Sequence, residues 1–324
     1  MRTDAITIDL WSSANVSQRQ QLSATANFLT PVVSVDACQS AASPSYLSAL
    51  SARRRGRHIK QSHNLLDTVK SFLRPWLYGL YAALIRNGVK GVFAISSLAV
   101  SQFEALGFRG KTYPFGYFIP SLMKRHPDSS ASGEISKCPF KVIFIGALTE
   151  RKGLDILIDA VDRLCILGHQ ITLDIFGSGK YEALLLNSLH TKYKGLIPFG
   201  EAIKVIQGYD LLVLPSRFDG WGVVINEAMY AGVPVICSDA VGAKTLVNKF
   251  QFGEVFSSGN VQSLQEKINC FASQANLLSR YSFNAQKYAS IIEPHIAARY
   301  MWDVLRSNES QAAVSIISPW YESR

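Results

Sequence analysis

The chain has 324 residues, 48% of them apolar and 18% charged, which is enough for two packed domains and too apolar for intrinsic disorder. The formal net charge of +9 is uneven: residues 1–128 hold 15 Lys and Arg against 6 Asp and Glu, whereas residues 129–324 hold 18 of each. A basic part beside a neutral one points to an anionic partner, lipid or nucleic acid, unless it is a solvated face.

The five cysteines (Cys38, Cys138, Cys165, Cys237, Cys270) form no Cys-x-x-Cys pair. This argues against a disulfide scaffold or structural zinc and fits a reducing compartment. The apolar stretch at residues 5–11 lacks a basic leader, so no signal peptide is expected. No apolar run reaches ~18 residues, so no membrane-spanning helix is expected either.

In chain order, residues 5–10 (AITIDL), 30–35 (TPVVSV) and 91–95 (GVFAI) read as strands. Residues 65–85 read as a helix interrupted at Pro75, and 98–106 as an amphipathic helix. Residues 121–139, rich in Ser, Pro and charge, read as a linker. The pattern then becomes regular. Residues 140–145 (FKVIFI) form a short apolar run ending at Gly146, as a buried parallel strand does. Helical spacing follows over 152–167, a strand at 171–176, a helix at 181–189 and a weak strand at 195–199. A strand at 211–214, a helix at 223–231 and a strand at 233–237 complete the alternation. Alternating strands and helices with short connections predict an α/β fold with a parallel, doubly wound sheet. Ligands bind such sheets at the carboxyl ends of the strands.

Two strand-to-helix junctions carry chemistry. After the strand at 211–214, the sequence Pro215-Ser216-Arg217-Phe218-Asp219-Gly220-Trp221-Gly222 leads into a helix that holds Glu227. Asp219 and Glu227 bracket a helix N-terminus, whose free N–H groups and positive dipole end favour phosphate. Gly220 and Gly222 let a ligand approach the backbone. The other junction, Gly146 to Gly153, places Arg151 and Lys152 at a helix start. Cations there oppose the helix dipole, and phosphate binding accounts for them better. The Gly177-Ser178-Gly179 loop is compatible with phosphate or sugar, and equally with an ordinary turn. No Gly-x-Gly-x-x-Gly follows the first strand of either half, which argues against a nicotinamide-dependent dehydrogenase.

These motifs, with Phe176-Gly177-x-Gly179, Phe199-Gly200, Glu227-Ala228 and Gly232-x-Pro234-Val235, resemble the donor half of glycosyltransferase family 4. Members of that family are retaining enzymes of the GT-B fold. The resemblance covers about residues 139–240 and implies two Rossmann-like doubly wound domains. It implies an acceptor-side domain at 1–120, a linker at 121–138, a nucleotide-sugar donor domain at 139–290 and a helix crossing back with a tail at 291–324. The N-terminal domain looks incomplete against the family's usual length. The family's acid–seven residues–acid signature falls on Asp219 and Glu227. By resemblance, Lys152 and Arg151 neutralise the donor diphosphate and Asp219 orients the sugar. Glu227 holds the ribose hydroxyls, and the Gly222, Val223 and Val224 amides contact sugar or phosphate. Phe199 lies near the nucleobase, and Gly146, Gly177 and Gly220 line the donor loops. No cofactor or metal is implied. The sequence departs from the family in having Ala147 after Gly146, Asp219 as first acid, and Asp36 where many members have His. His63 is a loose candidate for a cleft residue.

The implied function is transfer of a sugar from a nucleotide-sugar to an acceptor hydroxyl, in cell-surface polysaccharide or lipopolysaccharide synthesis. The alternatives are a catalytically impaired binding remnant and a nucleotide-sugar epimerase of the same fold. The basic run Arg53, Arg54, Arg55, Arg57, His58 and Lys60 precedes the aromatic-rich stretch 65–85. That pairing suits anionic headgroups and a lipid-linked acceptor, hence a cytoplasmic protein peripheral to the membrane. No nucleic-acid fold accompanies the charge.

Overall fold

The structure is a computed structural model that describes Leu80 and residues 91–105, 108, 111–119, 139–187, 190–309 and 317–321. The strands expected at 5–10 and 30–35, the helix at 65–85 apart from Leu80, the basic run at 53–60, Asp36, His63 and the linker at 121–138 lie outside these residues. The chain divides into two units: Met1–Val92 with Ala99–Thr112, and Phe93–Leu98 with Tyr113–Arg324.

A short two-stranded sheet pairs β1 (Gly91–Ile95) with β2 (Lys111–Phe115), and α1 (Ser96–Ala105) lies between them in sequence. The main sheet has six strands: β3 (Phe140–Ile145), β4 (Ile171–Phe176), β5 (Thr191–Gly195), β6 (Leu211–Leu214), β7 (Val235–Ser238) and β8 (Gly253–Phe256). Their order is β5-β4-β3-β6-β7-β8 and every pairing is parallel. The chain starts at the centre with β3, steps outward to β5, then returns to β6 on the other side. This is the doubly wound order, with its switch point between β3 and β6.

The helices cover both faces: α2 (Leu154–Ile166), α3 (Ala202–Ile206), α4 (Val223–Ala231), α5 (Lys244–Phe250), α6 (Val261–Ser273) and α7 (Ala275–Tyr288). α8 (Pro294–Glu309) follows. Successive strand residues point to opposite faces. Val142, Phe144, Leu173, Ile175 and Val213 therefore join Leu157 and Leu164 of α2 and Ile268 of α6 in one core. Ile143, Leu212, Leu214, Val235 and Cys237 join Ile225 and Met229 of α4 and Val247 of α5 in the other. Burial on both faces is why β6, buried at all four residues, reads as an unbroken apolar run.

Several expectations shift, the helix at 98–106 to Ser96–Ala105 and the strand at 233–237 to Val235–Ser238 among them. The strand expected at 195–199 is β5, at Thr191–Gly195. It is an edge strand that exposes Lys192, Tyr193 and Lys194, while Leu196 and Phe199 stand in the exposed loop beyond it. Lysines on an edge discourage pairing with other chains, and they hide the strand from an apolar pattern. The helix expected at 181–189 is a 3-10 helix, Lys180–Asn187. The helix expected from residue 152 starts at Leu154, after a 3-10 turn Glu150–Lys152.

Candidate functional site

At the switch point, the loop after β3 and the loop after β6 leave adjacent strands in the same direction. Gly153 has φ 68°, and a Cβ there would overlap the Pro215 carbonyl oxygen. Only glycine lets the two loops come this close. The backbone N–H of Arg217 donates to the Arg151 carbonyl at 2.8 Å. The Arg217 guanidinium donates to the Glu150 carbonyl at 2.7 Å and to both carboxylate oxygens of Asp155, at 2.7 and 2.5 Å. A fork-to-fork pair of this kind fixes geometry as well as charge.

The result is a contact between residues far apart in sequence. The Lys152 ammonium donates to the Asp219 carboxylate, and their side chains are 14% and 12% exposed. Asp219 is held by its backbone as well. Its N–H donates to the Ala240 carbonyl at 3.1 Å, and its carbonyl accepts from Gly242 N–H at 3.0 Å. Gly146 stands beside this pair, since a Cβ there would lie 3.9 Å from Lys152 Cδ. Gly177 packs the β4 loop onto Gly146, for a Cβ at Gly177 would overlap the Gly146 carbonyl oxygen.

Gly222, at φ 88°, is the N-cap of α4, and no side chain caps this N-terminus. Val223 and Val224 form the start of the helix, Val223 exposed and Val224 half-buried. Glu227 follows within α4, half-buried. Burial pushes its carboxyl above the ordinary 4.5. Among the described residues its carboxylate has neither a hydrogen-bond nor a salt-bridge partner. Gly220 lies in the acid loop, where a Cβ at Gly242 would overlap its carbonyl oxygen.

Lys152, Asp219, Gly146 and the N-terminus of α4 thus gather at the switch point. Arg151 is placed differently. Its side chain is exposed and its guanidinium donates to the Phe218 carbonyl at 3.1 Å. Phe199 is 94% exposed in the loop after β5. The sequence reading passed over Asn226, which is fully buried. Its amide donates to the Tyr117 carbonyl at 2.7 Å, and its carbonyl oxygen accepts from the Trp221 indole at 2.8 Å. It also gave Arg217 and Asp155 no role. An Arg between the strand end and Asp219 was the available signal. Among the described residues no cluster of His, Cys, Asp and Glu could hold a metal ion, and no helix is long and apolar enough to cross a membrane.

Comparison with known proteins places these features in a lineage. The family described as glycosyl transferases group 1 matches residues 126–288. A phosphatidyl-myo-inositol mannosyltransferase of Mycobacterium leprae is 25% identical over 249 residues, 75% of this chain and 61% of the relative. A glycogen synthase of Thermodesulfovibrio yellowstonii is 29% identical over 180 residues, 54% of this chain and 34% of the relative. The chain thus spans less than two thirds of the length of these curated relatives. Among solved structures, Anabaena Alr3699/HepE in complex with UDP superposes with TM-score 0.62 at 23% identity, covering 72% of this chain and 68% of that one. This likeness establishes a common α/β fold of the GT-B type.

Proposed function

The chain belongs to the glycosyl transferases group 1, and on that premise we propose that it transfers a sugar from a nucleotide-sugar to an acceptor hydroxyl with retention at the anomeric carbon. The observation that carries this reading is the Lys152–Asp219 pair beside the uncapped N-terminus of α4. Cleavage of the donor bond builds negative charge on the leaving diphosphate and positive charge on the sugar ring. A lysine and a helix N-terminus already in position stabilise the first without reorganising during the reaction. Asp219 holds the ammonium in place and accepts from sugar hydroxyls once the donor is seated. The carboxylate of Glu227, which has no partner among the described residues, accepts from the ribose hydroxyls. Arg151 screens the diphosphate from the exposed side, and the chemistry runs without a metal. Val223, Val224, Gly220 and Gly222 offer backbone to sugar and phosphate, and Phe199 covers the base.

The acceptor belongs to cell-surface polysaccharide or glycolipid synthesis, a reading supported by the relative named for phosphatidyl-myo-inositol. The protein works in the cytoplasm and meets anionic membrane through residues 53–60. Binding to anionic vesicles should weaken with salt and be lost on Arg53/Arg54/Arg55→Ser. Equal recovery of both proteins in the supernatant at low salt refutes this part.

Calorimetric titration with UDP, GDP and ADP, alone and sugar-linked, tests the central reading. One nucleotide should bind, and nuclear magnetic resonance of the product should show the sugar on an acceptor with its anomeric configuration kept. Absence of binding to every nucleotide refutes it. A product still linked to the nucleotide makes the protein an epimerase, and binding without turnover leaves the remnant.

A further inference from the structure

Residues 317–321 fill a place directly behind the acid loop. Trp320 is fully buried, with its ring 4.8 Å from Phe115 and 5.7 Å from Tyr300. Between Trp320 and Trp221 there is room only for a glycine. A Cβ at Gly116 would lie 2.8 Å from Trp320 and 2.6 Å from Trp221. Trp221 belongs to the acid loop, two residues after Asp219. Trp320 thus reaches Trp221, and with it the acid loop, across a single glycine.

The opposite wall of the loop is tied to the same segment. Asp219 and Trp221 exchange backbone hydrogen bonds with residues 240–243, including Ala243 N–H to the Trp221 carbonyl at 2.8 Å. Those residues lead into α5. Near the end of α5, the Lys249 ammonium donates to the carbonyls of Ser318 (3.4 Å), Pro319 (3.0 Å) and Tyr321 (2.5 Å).

A third tie meets a strained turn. Ser96 is fully buried with φ 78°, a conformation that L side chains rarely adopt. A Cβ at Gly242 would stand 2.6 Å from the Ser96 side chain. The Tyr321 hydroxyl donates to the Phe115 carbonyl at 3.1 Å, and Phe115 ends β2, the partner of the strand β1 that leads directly into Ser96. Strain of this kind persists only where surrounding contacts hold it.

We propose that residues 317–321 brace the donor site, with Trp320 and Tyr321 acting as positioning residues for Asp219 through Trp221 and through the strained Ser96 turn. The proposal rests on the donor-site reading given above. Three separate contacts converge on the walls of one loop, whereas packing alone required only the buried indole.

Hydrogen exchange on the full-length chain and its Trp320→Ala, Trp320→Phe and Tyr321→Phe variants tests the brace, with nucleotide titration beside it. In Trp320→Ala the amides of Asp219, Gly242 and Ala243 should exchange at least tenfold faster while those of β3 and β4 stay unchanged. Nucleotide affinity should fall about tenfold, and Trp320→Phe should restore both. Tyr321→Phe, which removes a single hydroxyl, should accelerate the Ser96 amide at least tenfold. Unchanged protection at Asp219, Gly242 and Ser96, or acceleration spread equally over β3 and β4, overturns the proposal. If Trp320→Ala does not fold, the Ser96 amide in Tyr321→Phe decides alone. Failure of the wild type to bind any nucleotide refutes the donor-site reading instead, while the exchange pattern still judges the brace.

Discussion

Replacing Lys152 by Met removes the ammonium and leaves the Asp219 carboxylate in place with its side chain 12% exposed. Two limits frame the effect. An exposed ion pair contributes about 0–1 kcal/mol, whereas breaking a buried pair by removing one partner destabilises by about 3–5 kcal/mol. With both side chains about one-eighth exposed, the pair lies nearer the second limit, and a loss of about 2–3 kcal/mol is expected. At about 2–4 °C per kcal/mol for a domain of this size, the midpoint should fall by 4–12 °C, allowing the full range. Most of that loss is the stranded carboxylate, so Lys152→Met/Asp219→Asn should regain more than half of it. Nucleotide affinity should not return in the double variant, because the cation that meets the diphosphate is gone. Thermal unfolding of the wild type, both single variants and the double variant gives the coupling, and calorimetry gives the affinity. Additive losses with a coupling under about 0.5 kcal/mol would refute the pairing. Full nucleotide affinity in Lys152→Met would refute the phosphate role.

Glu227→Gln should weaken nucleotide binding about 10–100-fold, the effect of losing a charged hydrogen bond of roughly 1.5–3 kcal/mol. Its stability should move the other way. The folded carboxyl titrates above 4.5, so the wild type loses stability as pH rises from the unfolded value through the folded one. Melting curves should therefore show the Gln variant more stable than wild type above that window and equal to it below. Arg217→Ala should lower stability by no more than about 1 kcal/mol, since the pair with Asp155 is over one-third exposed. It should still weaken nucleotide binding about tenfold by loosening the two loops, and Arg217→Asp/Asp155→Arg should recover part of the affinity in the same titration. Asn226→Ala strands the buried Trp221 indole and removes the amide that donates to the half-buried Tyr117 carbonyl. Denaturant unfolding should show a loss of about 1–3 kcal/mol, the cost of one buried orphan, with a smaller addition from the half-buried carbonyl.

The parts of the fold that sequence makes legible are those whose burial is uniform. The strand at 211–214 is buried at every residue, and those at 140–145 and 171–176 depart from the apolar signal only at Lys141, Thr172 and Asp174, so the observed bounds coincide with the expected ones. β5 and β2 escape the same test because TKYKG exposes Lys192, Tyr193 and Lys194 and KTYPF buries only Phe115. Their pairing comes from the neighbouring strand rather than from their own pattern. Helix starts behave similarly. The apolar period extends through residues 152–167, but Gly153 at φ 68° breaks it, and a left-handed residue leaves no mark on hydrophobic spacing.

The site divides along the same line. Strand ends followed by glycines and charged residues report that the two strand-to-helix junctions carry Lys152, Asp219 and Glu227, because that chemistry is local in the chain. What the loop does with them is not local. Lys152 and Asp219 stand 67 positions apart, and they meet only because β3 and β6 are neighbours across the switch point. Arg151 and Lys152 are equivalent as adjacent cations in the sequence. The fold separates them, since Arg151 turns to the Phe218 carbonyl while Lys152 turns inward to the acid. Arg217 shows the converse. It reads as one more basic residue before Asp219, yet its guanidinium ties Asp155 and the Glu150 carbonyl to the acid loop. A charge motif therefore identifies which residues reach the site, and the strand order decides which of them face a ligand and which hold the others still.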